Sequence, residues 1–234
     1  LAEVTDNADP ENLGRVQVQF AWQKSRNKTT NWIRVRSLDA GSSETVSKNR
    51  GFVFVPEIGD QVMVDFELGD PCRPYVSGSM FHKNNGEGGN ADNHIKTIVT
   101  RSGHTIEFDD SKDSTWGITI KDAEKNTIHW NTKHKTIEII APLKVVVKSE
   151  EIDCIASQCV KLESGDEIRL QAKNTLLINA KTISTNAEDK YSLDAKTIET
   201  IAESTSQQTT KGDMILSSKK EVKTISGNKK IRLS

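Results

Sequence analysis

The sequence predicts an all-β chain, a five-stranded OB-like barrel followed by a trimeric, intertwined β-helix that forms a spike or needle. Three observations lead there. In about the first eighty residues, short runs of alternating apolar residues are cut by turn signals. Beyond residue 141, apolar residues return in i, i+2 pairs whose starts lie mostly seven or eight positions apart. Large rings stop early: after Trp130 the only aromatic residue is Tyr191, so a ring-rich core ends there and something thinner follows.

The barrel occupies 1–81. LGRVQVQFAW (13–22) sets Val16, Val18, Phe20 and Trp22 on one face. NWIRVRSL (31–38) alternates Trp32 or Ile33 with Arg34 and Arg36. GFVFV (51–55) is a continuous apolar run, expected as a strand buried on both faces. QVMVDFE (61–67) groups Val62, Val64 and Phe66, and PYVSGSM (74–80) completes the set. Asp9-Pro10, Gly41-Ser42, Gly59-Asp60 and Gly69-Asp70-Pro71 supply the turns. The expected barrel core is Val16, Val18, Phe20, Phe52, Phe54, Val62, Val64 and Phe66. Five short strands in so short a span fit a small Greek-key barrel.

Residues 82–94, HKNNGEGGNADNH, read as a polar linker. Strands at ten- to twelve-residue spacing follow over 95–140, at IKTIVT (95–100), HTIEFDD (104–110), WGITI (116–120), NTIHW (126–130) and KTIEII (135–140). They form a meander that starts the spike. Over 141–234 the inward positions are Val145, Val147, Ile152, Val160, Leu162, Ile168, Leu170, Leu176, Ile178, Ile183, Tyr191, Leu193, Ile198, Met214, Leu216, Val222, Ile231 and Leu233, with Cys154 paired to Ile152. A gap falls near 206, in the polar STSQQTT. The word Lys-Thr-Ile, at 96–98, 135–137, 181–183, 196–198 and 223–225, fits the same grammar: a solvated residue, a β-branched neighbour and an inward isoleucine. Pairs two apart do not fit a 3.6-residue period, and Thr, Ile, Val, Ser and Asn are indifferent helix formers.

An octad holds one short strand and a turn, too little for a coil of a one-chain β-helix. Burying two aliphatic side chains is worth roughly 3–6 kcal/mol. Ordering eight residues costs about 12 kcal/mol. A single chain with one thin stripe and two open edges therefore does not stand alone. Three intertwined copies place every stripe on a shared axis and pair the edges with one another. A carboxylate at Leu170 or Ile178 is then expected to abolish assembly, because three like charges would meet on that axis.

Little else reads as chemistry. Net charge is −1, with 34% hydrophobic and 28% charged residues, which argues against a dedicated nucleic-acid binder. No run of eighteen apolar residues is present to make a transmembrane helix. The five histidines, at 82, 94, 104, 129 and 134, and the three cysteines, at 72, 154 and 159, show no metal-ligand spacing. Ser102-Gly103-His104 lacks the flanks of a nucleophile elbow, and Glu107, Asp109 and Asp110 read as strand-end turn formers. No catalytic, cofactor-binding or metal-ligating residue is expected. Arg15, Arg34, Arg36, Arg50 and Arg73 with Trp22 and Trp32 could compose an OB-type nucleic-acid face, but Asp60, Asp65, Glu67 and Asp70 dilute it.

VTDNADPENLGRVQVQFAW (4–22), GFVFVPEIGDQVMVDFELGDPCRPYVSGSMF (51–81) and TRSGHTIEFDDS (100–111) resemble the VgrG family. These are trimeric tip spikes of type VI secretion systems, related to the central spikes of contractile phage tails and extracellular injection systems. The resemblance implies a barrel followed by a trimeric β-helical needle and a structural, non-enzymatic role. It implies a homotrimer whose partners are the tail-tube protein, a tip-cap protein and effectors, with the target membrane contacted mechanically and no nucleic acid bound. It also implies assembly in the bacterial cytoplasm, then expulsion by contraction. The family carries a large base domain before the DN-x-DP segment, and the chain begins almost at that segment, so tube docking is expected through residues outside this sequence. The 82–94 stretch is too short for the lysozyme domain of phage relatives, and no His-x-His pair follows His134. The rival expectations are a phage or extracellular contractile spike, a glycan-degrading β-helical tail spike, and an OB-fold nucleic-acid binder. The glycan reading lacks aromatic sugar platforms in the repeat.

Overall fold

The computed structural model describes residues 1–220 other than 87, 212, 216 and 218. The chain divides into two units, Leu1–Asp153 and Cys154–Ser234.

The first sheet uses β1 (Ala2–Asp6), β2 (Gln17–Phe20), β3 (Arg34–Val35), β6 (Gln61–Phe66) and β7 (Pro74–Ser79), in the order β2-β1-β6-β7-β3. All neighbours are antiparallel except β3 and β7, which run parallel. The sheet curls. An antiparallel bridge between Val16 and Ile33 links the β2 end of the order to the chain just before β3, with N–H to carbonyl distances of 3.0 and 2.9 Å in the two directions. Inside the curl lie Ala2, Val4, Val16, Val18, Ile33, Val62, Val64 and Val76. This OB-like core is made of small aliphatics, and the rings stay at its margin.

Several local expectations shift. The alternation in 13–22 stops at Phe20, where Ala21–Arg26 turn into a 3₁₀ helix and leave Trp22 70% exposed. The Gln23 side chain accepts the Phe20 N–H at 3.0 Å and draws the turn back over the strand end. The run 51–55 is not a strand buried on both faces. Only Arg50–Gly51 (β5) pair, with Ala40–Gly41 (β4), in a two-stranded ribbon. No neighbouring strand takes up residues 52–55, so Phe52 and Phe54 face outward. Strand β1 was not anticipated; its Ala2 and Val4 alternate inward over only five residues, too short a signal without partners.

The second sheet is an antiparallel meander, β8 (Ile95–Val99), β9 (Thr105–Asp109), β10 (Gly117–Lys121), β11 (Thr127–Asn131) and β12 (Thr136–Ile140), each next to its sequence neighbour. Every strand begins within one residue of its sequence expectation. Between the sheets, part of 82–94 folds back on Phe81. Gly88, at φ +70, lies so close that a Cβ there would come within 2.9 Å of the Phe81 ring.

Among the described residues, 141–220 form no strand in the single chain. A β ladder needs a neighbouring strand, and an octad offers none within its own chain. Leu216, Val222, Ile231 and Leu233 of the expected needle core lie outside the described residues.

Candidate functional site

The feature with most functional content is one face of the second sheet. Its register sets five residues in line across the strands: Ile98, Ile106, Ile120, Ile128 and Ile139. Two residues along, and so on the same face, runs Lys96, Phe108, Ile118, Trp130 and Ile137. Nine of ten positions on this face are apolar. The interleaved rows face the other way and are mostly polar; the middle one is Thr97, Glu107, Thr119, His129 and Glu138. Each strand contributes a Thr-Ile word with threonine on one side and isoleucine on the other.

The apolar face is bare in the single chain. Ile106 is 36% and Ile98 42% exposed, rising to 62% at Ile139 and 67% at Ile137 on the β12 edge. A hollow of about 590 Å³ lies over it, walled by Ile98, Ile106, Ile120, Ile128 and Ile139 and rimmed by Phe54 and Val145. The isoleucine row itself offers no donor, acceptor or nucleophile; the polar side chains, Lys96 and the Trp130 indole on the face and His104, Asp122, Asn126 and Lys144 at the rim of the hollow, stand around it. It can exclude water against another apolar surface.

The sequence-derived core positions fall as follows. Val16, Val18, Val62 and Val64 are buried, and Phe20 packs half-buried against them. Phe20 also stacks on Trp22 and Phe66, with ring centroids 5.3 and 6.4 Å apart. Phe52, Phe54 and Phe66 lie on the surface of the single chain. The described needle positions, Val145, Val147, Ile152, Val160, Leu162, Ile168, Leu170, Leu176, Ile178, Ile183, Tyr191, Leu193, Ile198 and Met214, are all between 46% and 69% exposed. Ile155, Leu177 and Ile201, which fall out of that phase, are 91%, 83% and 88% exposed.

Charged groups here are structural. The Asp9 carboxylate accepts backbone N–H groups from Glu11 (3.1 Å), Leu13 (2.9 Å) and Arg15 (3.2 Å), and the Arg15 guanidinium closes on both its oxygens at 3.0 and 2.7 Å. That guanidinium does most to hold the Asp9 carboxyl far below the usual carboxylate range; burial opposes it as the next largest effect, and the three backbone donors each lower it further. Arg15 is raised in turn by Asp9 and by Glu11 at 2.9 Å. Ser111 and Thr115 likewise lower Asp109, and Asn126 lowers Asp122, each within its own turn. Glu57 and Arg101 pair at 3.2 Å and tie the β8–β9 turn to the loop before β6.

The arginine and tryptophan set considered for nucleic acid is largely occupied. Arg15 pairs with Asp9 and Glu11, Arg50 with Asp39 at 2.6 Å, and Arg73 lies 3.8 Å from Glu67 and 3.7 Å from Asp70. His129 bonds Thr119 at 2.9 Å within the polar row. The described residues contain no group of three or more His, Cys, Asp or Glu able to hold a metal ion. Cys72, Cys154 and Cys159 are exposed and free. No described helix is long and apolar enough to cross a membrane.

Sequence reasoning missed the isoleucine row and the Asp9 clamp. The repeated Thr-Ile words signalled the row, but only the register shows that they line up. Nothing in the spacing of Asp9 and Arg15 marks them as partners.

Residues 1–81 match the family model for the type VI secretion system/phage-baseplate injector OB domain. Over 72 residues the chain is 40% identical to the type VI secretion system spike protein VgrG4b of Pseudomonas aeruginosa, a stretch that makes up 30% of this chain and 8% of that protein. It is 36% identical over 78 residues to the spike protein VgrG3 of Vibrio cholerae, covering 32% of this chain and 7% of that one. It is 36% identical over 75 residues to the actin cross-linking toxin VgrG1 of Vibrio cholerae, covering 31% and 6%. The matched part is under a tenth of each relative's own length. The chain carries a VgrG-type injector OB domain over residues 1–81.

Proposed function

We propose that this chain supplies the barrel and needle of a homotrimeric puncturing spike in a contractile injection machine of the type VI secretion class. In this reading 1–81 is the barrel, 82–94 the linker, 95–140 the start of the spike and 141–234 the octad needle. The reading rests above all on the injector OB domain at 1–81, followed in the same chain by an octad stripe that a lone copy leaves uncovered. A closed, fully paired trimer has no free strand edge to peel, so resistance to force is a matter of slow unfolding. No chemical step is involved. Sheath contraction drives the tube, and the spike concentrates the load on a small tip.

The partners are two further copies of the chain, a tail-tube protein reached through a base domain, and a cap protein or effectors at the distal end. The target membrane is met mechanically, and nucleic acid is not a ligand. The spike assembles in the bacterial cytoplasm and leaves by contraction. A phage-type or extracellular contractile spike is the second reading, favoured by the phage-baseplate half of the matched domain's description. Light scattering on the purified chain at micromolar concentration tests the common core of both. A particle of three times the 26.0 kDa chain mass is expected; a monomer overturns it.

A further inference from the structure

We propose that the cleft along strand β3, between Trp32 and Tyr75, is a binding site for a carboxylated saccharide. The site goes beyond the spike role and does not depend on it.

Its geometry follows from the pleat of an edge strand. Ile33 and Val35 turn toward the core of the first sheet, so Trp32, Arg34 and Arg36 stand on the outer face. Strand β3 closes one end of the sheet order, parallel to β7, and its register puts Arg34 beside Tyr75. Tyr75 is in turn level with Asp65 in β6. Two hollows of about 440 and 610 Å³ open on this surface and share Arg34, Glu67 and Tyr75. Asn31 and Trp32 wall the larger one, and Arg36 and Phe66 the smaller. Small-molecule clefts run from about 300 to 1,000 Å³, so each hollow has room for a sugar ring.

The polar groups around these rings are not consumed by the fold. Among the described residues, the Arg34 and Arg36 guanidiniums, the Asn31 amide, the Trp32 indole N–H and the Tyr75 hydroxyl have no partner within the chain, and none is sealed from solvent. Arg73 differs, with Glu67 and Asp70 at 3.8 and 3.7 Å.

A sugar ring matches this arrangement. It has an apolar C–H face to lay against an aromatic ring, and a rim of hydroxyls that both donate and accept. Trp32 and Tyr75 supply half-buried rings. Asn31 offers a donor and an acceptor, and the Glu67 carboxylate accepts from a hydroxyl. A free guanidinium is a two-pronged partner for a carboxylate, so Arg34 and Arg36 select an acidic sugar. Single-stranded nucleic acid matches less well. It calls for a continuous basic groove, and Asp65, Glu67 and Asp70 interrupt one here.

The test places the full chain on a glycan array carrying neutral, uronic-acid and muramic-acid saccharides. Carboxylated glycans are expected to hold the chain at least about tenfold more strongly than their neutral counterparts. The strongest array saccharide is then titrated by calorimetry against the parent, Trp32→Ala and Arg34→Gln. Each variant is expected to weaken binding at least about tenfold. Arg34 is exposed on an edge strand, so Arg34→Gln is expected to melt like the parent and decides the matter should Trp32→Ala not fold. An array with no bound glycan, or with neutral glycans held as well as acidic ones, overturns the proposal. Acidic-glycan binding that survives Arg34→Gln overturns the choice of cleft. Tight oligothymidylate binding that is lost in Arg34→Gln makes the cleft a nucleic-acid face and overturns the saccharide. The readout is binding and not assembly, so failure here leaves the proposed spike role standing.

Discussion

Asp9 shows how one side chain fixes a loop that sequence leaves undetermined. Its carboxylate gathers three backbone N–H groups and a two-pronged guanidinium, so the 9–15 segment enters β2 at one angle. Asp9→Asn keeps the shape, loses the charge, and offers an N–H₂ where an acceptor is needed. The melting temperature is expected to fall by several degrees in thermal scans at neutral pH. Because the folded-state pKa is depressed, the stabilisation is complete above the unfolded value near 4 and drains away as pH falls towards the folded one. The acid limb of stability against pH should therefore be shallower in Asp9→Asn than in the parent. The arginines bear on a second expectation at this scale. With Arg15, Arg50 and Arg73 engaged by carboxylates, a titration with single-stranded DNA at physiological salt should give nothing tighter than the roughly 10⁻⁴–10⁻⁶ M of non-specific contact. Tight binding with a steep salt dependence would restore the nucleic-acid reading.

At the scale of elements, the two sheets differ in how much of them the sequence reveals. The meander was legible strand by strand because each strand has its own alternation, and its hydrogen-bonding partner is the next strand along. The first sheet was legible only in part. Its core strand β1 pairs with β2 and β6, and an isolated bridge joins Val16 to Ile33. A five-residue strand with two small inward residues announces none of that. The ring-rich run 51–55 misled in the opposite direction, because hydrophobicity alone does not supply a partner strand. Gly117 marks where the meander is least tolerant. Its φ is +152, and a Cβ there would come within 1.8 Å of the Trp130 carbonyl oxygen in β11. Gly117→Ala is expected to cost more than about 1 kcal/mol and to raise hydrogen-exchange rates in β10 and β11 before those of β1 and β6. Unchanged exchange in β10 would contradict that packing.

For the whole molecule, the balance is between what a chain buries by itself and what it leaves open. The small aliphatic core of the first sheet is closed within one chain. The isoleucine face and the octad stripe are not, and both display side chains whose exposure to water opposes a lone copy. The sequence by itself determined the β character of residues 1–140, the strand spacing of the meander and the resemblance to injector spikes, and it sets an expectation of an octad stripe beyond 141. Those are local properties, carried by period-two alternation and by words of adjacent residues. Only the tertiary structure decided which rows line up across the second sheet, which face is bare, how far the first sheet curls and which carboxylates are consumed by arginines. Those depend on register and on contacts between residues distant in the chain, and a one-residue slip would send every isoleucine of a strand to the opposite face.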